Sequence, residues 1–316
     1  MSRLPEWLYE AGIGEARAAL VDGDRILVAA IEPDDAGPLV GLVTRARLIE
    51  RNPGRVALDG GGEATLAVVP PRLTQGAALT VEIVREAIPE PGRLKLPKAI
   101  ATDAAPAAAP DLLARLLATG HPVRHCLAHE PDRLEQAGWS EVLDEAATGD
   151  IDFPGGALRM SPTPAMTLFD VDGAPPADAL ALAAAPHVAA AILRHGVGGS
   201  IGIDFPTIEG KAARQAVAAA LDAGLSPPFE RTAVNGFGFL QLVRPRPRPS
   251  LPERLRAAPV LAAARATLRR IEREPPGASR VHALPAVVHA ALLARPHWLA
   301  ELARRTGIVH QLEATA

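Results

Sequence analysis

Three aspartates follow two apolar runs in the second half of the chain. The first run, Met166–Asp172, carries Asp170 and Asp172, and the second run, Ser200–Asp204, ends in Asp204. Short apolar runs bounded by glycine and proline are typical of strands covered on both faces. A carboxylate at the end of a buried strand is costly unless it is paired or bound to a cation. The pattern therefore indicates a cation site.

The segment between the two runs predicts how the aspartates meet. Residues 179–194 are rich in alanine, leucine and valine and predict a helix. A strand–helix–strand unit joins parallel strands by a right-handed crossover in nearly all cases. We therefore expect Asp170, Asp172 and Asp204 at one sheet edge, where their oxygens could hold Mg²⁺ for phosphate chemistry. Two alternatives stay open: Asp172 as a turn residue before Gly173, and Asp204 as a cap of the following turn.

Composition narrows the class of protein. The chain has 316 residues and a net charge of −3, so any nucleic-acid surface must be local. The single cysteine, Cys126, excludes an intrachain disulfide framework and a cysteine-based zinc site. We find no apolar run expected to span a membrane, and we predict a cytoplasmic protein without a membrane partner.

The rest of the chain predicts a small β unit, a barrel and a tail. Residues 1–36 form a β unit around the turn Asp22-Gly23-Asp24. Residues 37–100 hold short strands with the spacing of a small closed barrel, and 101–110 are an alanine- and proline-rich linker. Residues 111–250 form an α/β core, and 251–316 form a small α/β tail. The predicted barrel strands are Leu39–Arg47, Arg55–Leu58, Ala64–Val69, Leu79–Arg85 and Leu94–Lys95.

The order of these segments resembles the catalytic half of the bacterial ribonuclease E/G family. The similarity lies in many segments along nearly the whole chain, and the two aspartate runs are its most specific part. The segments that carry it are Ala19–Gly23, Val40–Leu48, Val56–Gly60, Val81–Glu86, Gly92–Lys98, Phe153–Met160, Leu168–Asp172, Gly198–Phe205 and Asn235–Leu240.

The resemblance implies an endoribonuclease that cleaves single-stranded RNA and requires Mg²⁺. Its metal ligands match Asp170 and Asp204, and its third catalytic position, an asparagine in the family, matches Asp172. The implied fold is a mixed-sheet core, ribonuclease H-like plus a nuclease-like α/β unit, with an inserted OB-type RNA-binding barrel. The implied substrates are ribosomal RNA precursors or messenger RNA.

Basic residues predict where the RNA backbone lies. Residues 231–275 carry ten arginines and three glutamates, a local charge of +7. Within them Arg244, Arg246 and Arg248 alternate with proline along an extended segment, and we predict RNA contacts for all three. Lys95 and Lys98, at the end of the barrel, are the other predicted RNA contacts. The alternative is a solvated linker and solvated lysines.

The chain also departs from the family. The segment that senses a 5′-monophosphate is missing, and so is the Cys-Pro-x-Cys zinc link, so we expect no zinc-linked tetramer; a homo-oligomer held by other contacts stays open. The aromatic positions of the family barrel fall near Ala57 and Ala67. The lost sensor, the lost aromatics and the aspartate at 172 in place of asparagine favour the alternative of a non-catalytic RNA-binding or assembly protein with the same fold. A third hypothesis is a different metal-dependent phosphate enzyme.

Overall fold

The chain forms two compact units, each built from segments that are distant in sequence. A computed structural model describes residues 4–90, 92–275 and 277–315. The first unit contains residues 4–36, 116–139 and 255–315, and the second contains 37–115 and 140–254. The predicted five-part division separates 1–36 from 251–316, whereas the structure joins them, because Ile13 packs in one core with Leu268 and Trp298. Residues 1–3, 91, 276 and 316 of the predicted domains lie outside the described part.

Strands dominate the first half of the chain, and helices are frequent after residue 176. The strands are β1 (Glu6–Ala11), β2 (Glu15–Asp22), β3 (Arg25–Pro33), β4 (Val43–Arg51), β5 (Gly54–Leu58), β6 (Glu63–Leu66), β7 (Ala78–Arg85), β8 (Ile88–Glu90), β9 (Arg93–Lys95), β10 (Lys98–Ala101), β11 (Val123–His125), β12 (Asp150–Phe153), β13 (Gly156–Pro162), β14 (Thr167–Gly173), β15 (Gly199–Asp204), β16 (Glu230–Arg231), β17 (Phe239–Arg244), β18 (Val281–Pro285) and β19 (Gln311–Thr315). The helices are α1 (Leu112–Leu117), α2 (Arg133–Gln136), α3 (Trp139–Thr148), α4 (Ala177–Arg194), α5 (Lys211–Ala223), α6 (Leu251–Ala257), α7 (Pro259–Glu272), α8 (Ala286–Leu293) and α9 (Pro296–Thr306).

The first unit combines a four-stranded sheet with the helices of the tail. The sheet order is β11-β1-β2-β3, with β11 parallel to β1 and the other pairs antiparallel. The turn between β2 and β3 lies at Gly23, which has a φ of +61°, so the predicted hairpin is confirmed. In the tail, α7 and α9 each begin with a proline, where a helix needs no N–H group.

The second unit begins with a closed five-stranded barrel in the order β10-β6-β5-β4-β7, so the predicted barrel is confirmed. Its core includes Leu48, Val56 and Ile83. One strand assignment was wrong: Leu94 and Lys95 belong to β9, which pairs with β8 in a separate hairpin. The fifth barrel strand is β10, because its backbone pairs with both β6 and β7 and so closes the ring.

The second unit continues with a six-stranded mixed sheet, β12-β13-β14-β15-β17-β16, in which β14 and β15 are parallel and the other neighbours are antiparallel. Helix α4 connects β14 to β15, packs on β13 and β14, and contacts α5. One face of the sheet packs into the core through residues such as Phe169, Ile203 and Leu240, which are fully buried. The prediction that β14 is covered on both faces was wrong, since Asp170 and Asp172 are exposed on the other face.

Helix α4 is the longest helix in the described residues and the core helix of this sheet. By length and mean hydropathy, 1.3 over 18 residues, it could cross a membrane, which the sequence analysis did not anticipate. Its residues Ala184, Val188 and Ile192 are fully buried within the protein. This packing is typical of a core helix, in which tertiary contacts cover the apolar side chains.

The arginine–proline segment 244–250 joins the sheet to the barrel within the second unit. The N–H of Glu86, at the end of the barrel, donates to the carbonyl of Pro247 at 2.8 Å. The Glu86 carboxylate is 2% exposed and forms ion pairs with Arg248 at 3.0 Å and Arg254 at 2.9 Å. The segment is therefore fixed by buried charge pairs and is not a solvated linker.

We expect Glu86→Ala to lower the free energy of unfolding by about 3 kcal/mol, because it leaves two guanidinium groups near one another without their carboxylate. Urea unfolding followed by circular dichroism measures the change. The matched control is Glu50→Ala in the same barrel. Glu50 pairs with Arg55 at 3.3 Å through half-exposed side chains, so the loss there should stay below about 1 kcal/mol. Equal losses in both variants would contradict this account.

Candidate functional site

Asp170 and Asp204 lie side by side at the carboxyl ends of two parallel strands. The register of β14 against β15 pairs Asp170 directly with Asp204. Neighbouring strands are about 4.8 Å apart, so the two side chains rise next to each other from the sheet. Both residues are exposed on the face opposite the core. The predicted strand–helix–strand unit and the predicted meeting of these two strand ends are thus confirmed.

Asp172 lies one pleat further along β14. It points to the same face as Asp170, but β15 ends at Asp204 and offers no residue opposite it. Residues two apart on a strand are separated by about 6.8 Å. Its Oδ1 accepts the N–H of Gly173 at 2.8 Å. The alternative of a turn residue was wrong, since Asp172 and Gly173 both pair with β13 as part of the strand. The structure therefore brings together two of the three predicted carboxylates and leaves Asp172 at the end of the strand.

The donor set suits a magnesium ion only in part. In the described residues, no group of three or more histidine, cysteine, aspartate or glutamate side chains is arranged to hold a metal ion. Mg²⁺ in phosphate-processing sites is often bound by one or two carboxylates, with water and substrate phosphate completing the octahedron. The exposed pair Asp170 and Asp204 fits that smaller donor set.

A cation lies in the same row of residues and was missed by the sequence analysis. The row runs across four strands in the order Asp150, Arg159, Asp170 and Asp204. The Arg159 side chain is 70% exposed, and its Nε donates to Asp150 Oδ1 at 3.1 Å. The signal was present in the sequence, since Arg159 stands between the apolar residues Leu158 and Met160 and therefore faces away from the core.

A short loop before β17 borders Asp204 on the other side. Phe239, the first residue of β17, pairs with Asp204. Asn235 Oδ1 accepts the N–H groups of Phe237 at 2.9 Å and of Phe239 at 3.0 Å. Gly238 has a φ of +92°, and its carbonyl accepts the N–H of Phe205, the residue after Asp204, at 3.3 Å. The loop is therefore rigidly attached to the strand end that carries Asp204.

The predicted RNA-binding arginines are largely engaged inside the protein. Arg246 forms an ion pair with Glu253, and Arg248 pairs with Glu86. Arg244 is partly buried in β17, and this burial lowers the pKa of its guanidinium below the ordinary value. The three side chains therefore do not form the row of free cations that their spacing suggested.

The same holds for most of the arginine-rich stretch 231–275. Acidic residues from distant parts of the sequence meet its arginines; Arg269, for example, pairs with Glu10 and Asp132 in the first unit. A sequence window does not show these partners, so its charge of +7 overstates the surface charge. The paired arginines are Arg231, Arg246, Arg248, Arg254, Arg265, Arg269, Arg270 and Arg273.

The two predicted lysines remain at the surface of the barrel region. Lys95 lies in the β8–β9 hairpin, 3.7 Å from Glu90, and its side chain is 46% exposed. Lys98 begins β10 and is exposed. Both side chains are accessible to a ligand, and their contact with RNA stays a prediction.

No family model matches the chain, and no curated protein matches it significantly. The resemblance to the ribonuclease E/G family therefore stays a prediction carried by the segments quoted above.

We expect Gly238→Ala to destabilise the loop beside Asp204 by about 1–3 kcal/mol, because a side chain at positive φ is strained. An added Cβ would also meet the backbone carbonyl of Phe205. Urea unfolding measures the change. Gly236→Ala is the matched control in the same loop, since nothing lies within 4 Å of its Cβ position; its effect should stay below about 0.5 kcal/mol. A similar loss in both variants would show that the Gly238 conformation is not critical.

Proposed function

We propose that this protein is a Mg²⁺-dependent endoribonuclease that cleaves single-stranded RNA. The observation that carries the proposal is the pairing of Asp170 with Asp204 at the carboxyl ends of β14 and β15, on a sheet face that substrate can reach. Asp170 and Asp204 would hold the ion. We propose a cytoplasmic protein, and any homo-oligomer would form without a zinc link.

The reaction exchanges one phosphorus–oxygen bond for another. A water oxygen attacks the phosphorus, the bond to the 3′-oxygen breaks, and a proton passes to that oxygen, leaving a 3′-hydroxyl and a 5′-phosphate. When bound, Mg²⁺ would lower the pKa of the attacking water and screen the negative charge of the phosphate. Arg159, next to Asp170 in the row, is placed to contact a phosphate oxygen through its exposed guanidinium. Its pair with Asp150 is solvent-exposed and therefore weak enough to exchange for a phosphate.

The barrel and the two larger sheets support the proposal at the level of overall architecture, without identifying particular site residues. We propose that the five-stranded barrel is the OB-type RNA-binding module, with Lys95 and Lys98 nearby as RNA contacts. We further propose that the six-stranded sheet is the nuclease-like part, and that the four-stranded sheet of the first unit corresponds to the ribonuclease H-like part. We leave Arg246 and Arg248 out of the proposed RNA surface, because their charges are matched by Glu253 and Glu86.

The small number of possible metal ligands supports a second candidate function. In the described residues only two of the three aspartates lie side by side, and the Asp172 carboxylate accepts the N–H of Gly173. A chain that kept the fold but lost metal binding would act as an RNA-binding or assembly protein. A different metal-dependent phosphate enzyme is the third candidate.

The decisive experiment incubates the protein and 5′-labelled single-stranded RNA with Mg²⁺. We expect cleavage to fall at least 100-fold, about 2.7 kcal/mol, in Asp170→Asn and in Asp204→Asn, because each removes one of two charged ligands. EDTA should abolish cleavage by the unaltered protein. Asp152→Asn is the matched control, since it removes an exposed aspartate of β12 whose register partner is Ala157 and leaves the Arg159–Asp150 pair in place.

The possible results separate the candidates. Cleavage that survives both substitutions contradicts the metal assignment. RNA binding without cleavage supports the assembly protein, and cleavage of nucleotides but not RNA supports the third candidate.

Asp172→Asn removes only the negative charge at this position, where the ribonuclease E/G family has asparagine. An asparagine oxygen can still accept the Gly173 N–H, so this hydrogen bond is kept while one negative charge leaves the face that would meet RNA. We expect KM for RNA to fall several-fold, about 1 kcal/mol, with kcat unchanged. Steady-state kinetics at two salt concentrations measures this. A loss of kcat would instead make Asp172 a required ligand.

A further inference from the structure

An exposed aromatic ring stands out on this protein. Phe237 is 82% exposed. Every other phenylalanine, tyrosine or tryptophan of the chain lies in the described residues and is buried or partly buried. Large aromatic side chains are normally covered, since burial of their apolar surface is favourable. An aromatic ring left in solvent is therefore available to a ligand that covers it.

The loop fixes the backbone that carries this ring. Asn235 Oδ1 accepts the N–H of Phe237 itself, and Gly238 adopts a backbone conformation that other residues rarely reach. The Gly238 carbonyl is hydrogen-bonded to the N–H of Phe205. Because the backbone on both sides of Phe237 is fixed, a ligand that packs on the ring does not have to order the loop first.

The position of the ring relates it to the aspartate pair. Phe237 lies two residues before Phe239, the register partner of Asp204, at the carboxyl ends of β14 and β15. Arg159 lies on the opposite side of the pair. The row across this edge is thus Arg159, Asp170, Asp204 and Phe239, and the exposed ring of Phe237 follows in the loop just before Phe239. A strand of nucleic acid presents matching groups, because its charged phosphates alternate with flat bases.

We infer that Phe237 is the stacking platform for the base next to the phosphate held at Asp170 and Asp204; this inference rests on the proposed function. A base in a duplex has both faces covered by its neighbours, so only an unpaired base can stack on the ring. Phe237 therefore accounts for a preference for single strands.

Binding measured without cleavage tests the inference. The probe is a 5′-fluorescein-labelled decaadenylate, titrated by fluorescence anisotropy in EDTA and again in Ca²⁺, with the RNA checked for integrity on a gel. We expect Phe237→Ala to weaken binding about 5- to 100-fold and Phe237→Tyr to stay within about 2-fold, because tyrosine keeps the stacking face. Leu182→Ala is the control, as it removes another exposed apolar side chain, 46% exposed, from α4.

A spectroscopic signal separates stacking from simple loss of contact. Trp7, Trp139 and Trp298 are buried, so the exposed indole of Phe237→Trp can be distinguished from them. We expect decaadenylate to quench its emission and an abasic strand of the same length to leave it unchanged. Unaltered binding in Phe237→Ala, equal quenching by both strands, or no binding by the unaltered protein in either buffer would each overturn the inference.

The two proposals fail in different ways. If the unaltered protein binds RNA through Phe237 but does not cleave it, the ribonuclease proposal is wrong and the stacking site stands. If it cleaves RNA while Phe237→Ala binds normally, the stacking site is wrong and the ribonuclease proposal stands. A partner protein that covers the ring would be indicated by Phe237→Ala losing self-association but not RNA binding.

Discussion

The parallel pairing of β14 with β15 is the constraint on which the candidate site depends. Parallel neighbours require a crossover, and α4 supplies it by packing its buried face on β13 and β14. The crossover returns the chain so that Asp170 faces Asp204 in register. A shift of one residue would turn Asp204 toward the core and Ile203 toward solvent. The buried Ile201 and Ile203 thus fix the register that places the two carboxylates together.

The one-sided sheet explains why the carboxylates are tolerated. The apolar side of β14, with Phe169 and Val171, is buried, and the side with Asp170 and Asp172 is open to water. The two aspartates therefore keep their hydration and need no buried counter-charge. Beside them Gly202 brings the backbone close to Leu168 and Phe239, since a side chain there would clash with both. The face that carries Asp170 and Asp204 is therefore open to solvent in the folded protein.

The sequence predicted the elements better than the contacts between them. The Asp22–Asp24 hairpin, the barrel and the strand–helix–strand unit follow from local turn residues and apolar periodicity, and these were confirmed. The fifth barrel strand was assigned to Leu94–Lys95 instead of β10, because sheet closure depends on pairing with β6 and β7. The roles of Arg248 and Arg254 were also hidden, since their shared partner Glu86 lies 168 residues before Arg254. Arg159 and Phe237 needed the sheet register to reveal their place beside the aspartates.

The central claim is that Asp204 binds the metal ion. Replacing its carboxylate with a thiol tests this claim most directly. Cys126 is the only cysteine and is buried, so Asp204→Cys introduces the only exposed thiol. Thiolates favour soft metal ions over Mg²⁺. If Asp204 holds the ion, Asp204→Cys will fail to cleave single-stranded RNA in Mg²⁺ and regain cleavage when Cd²⁺ is added, whereas Asp204→Ala will not. Full cleavage by Asp204→Cys in Mg²⁺ alone would contradict the account.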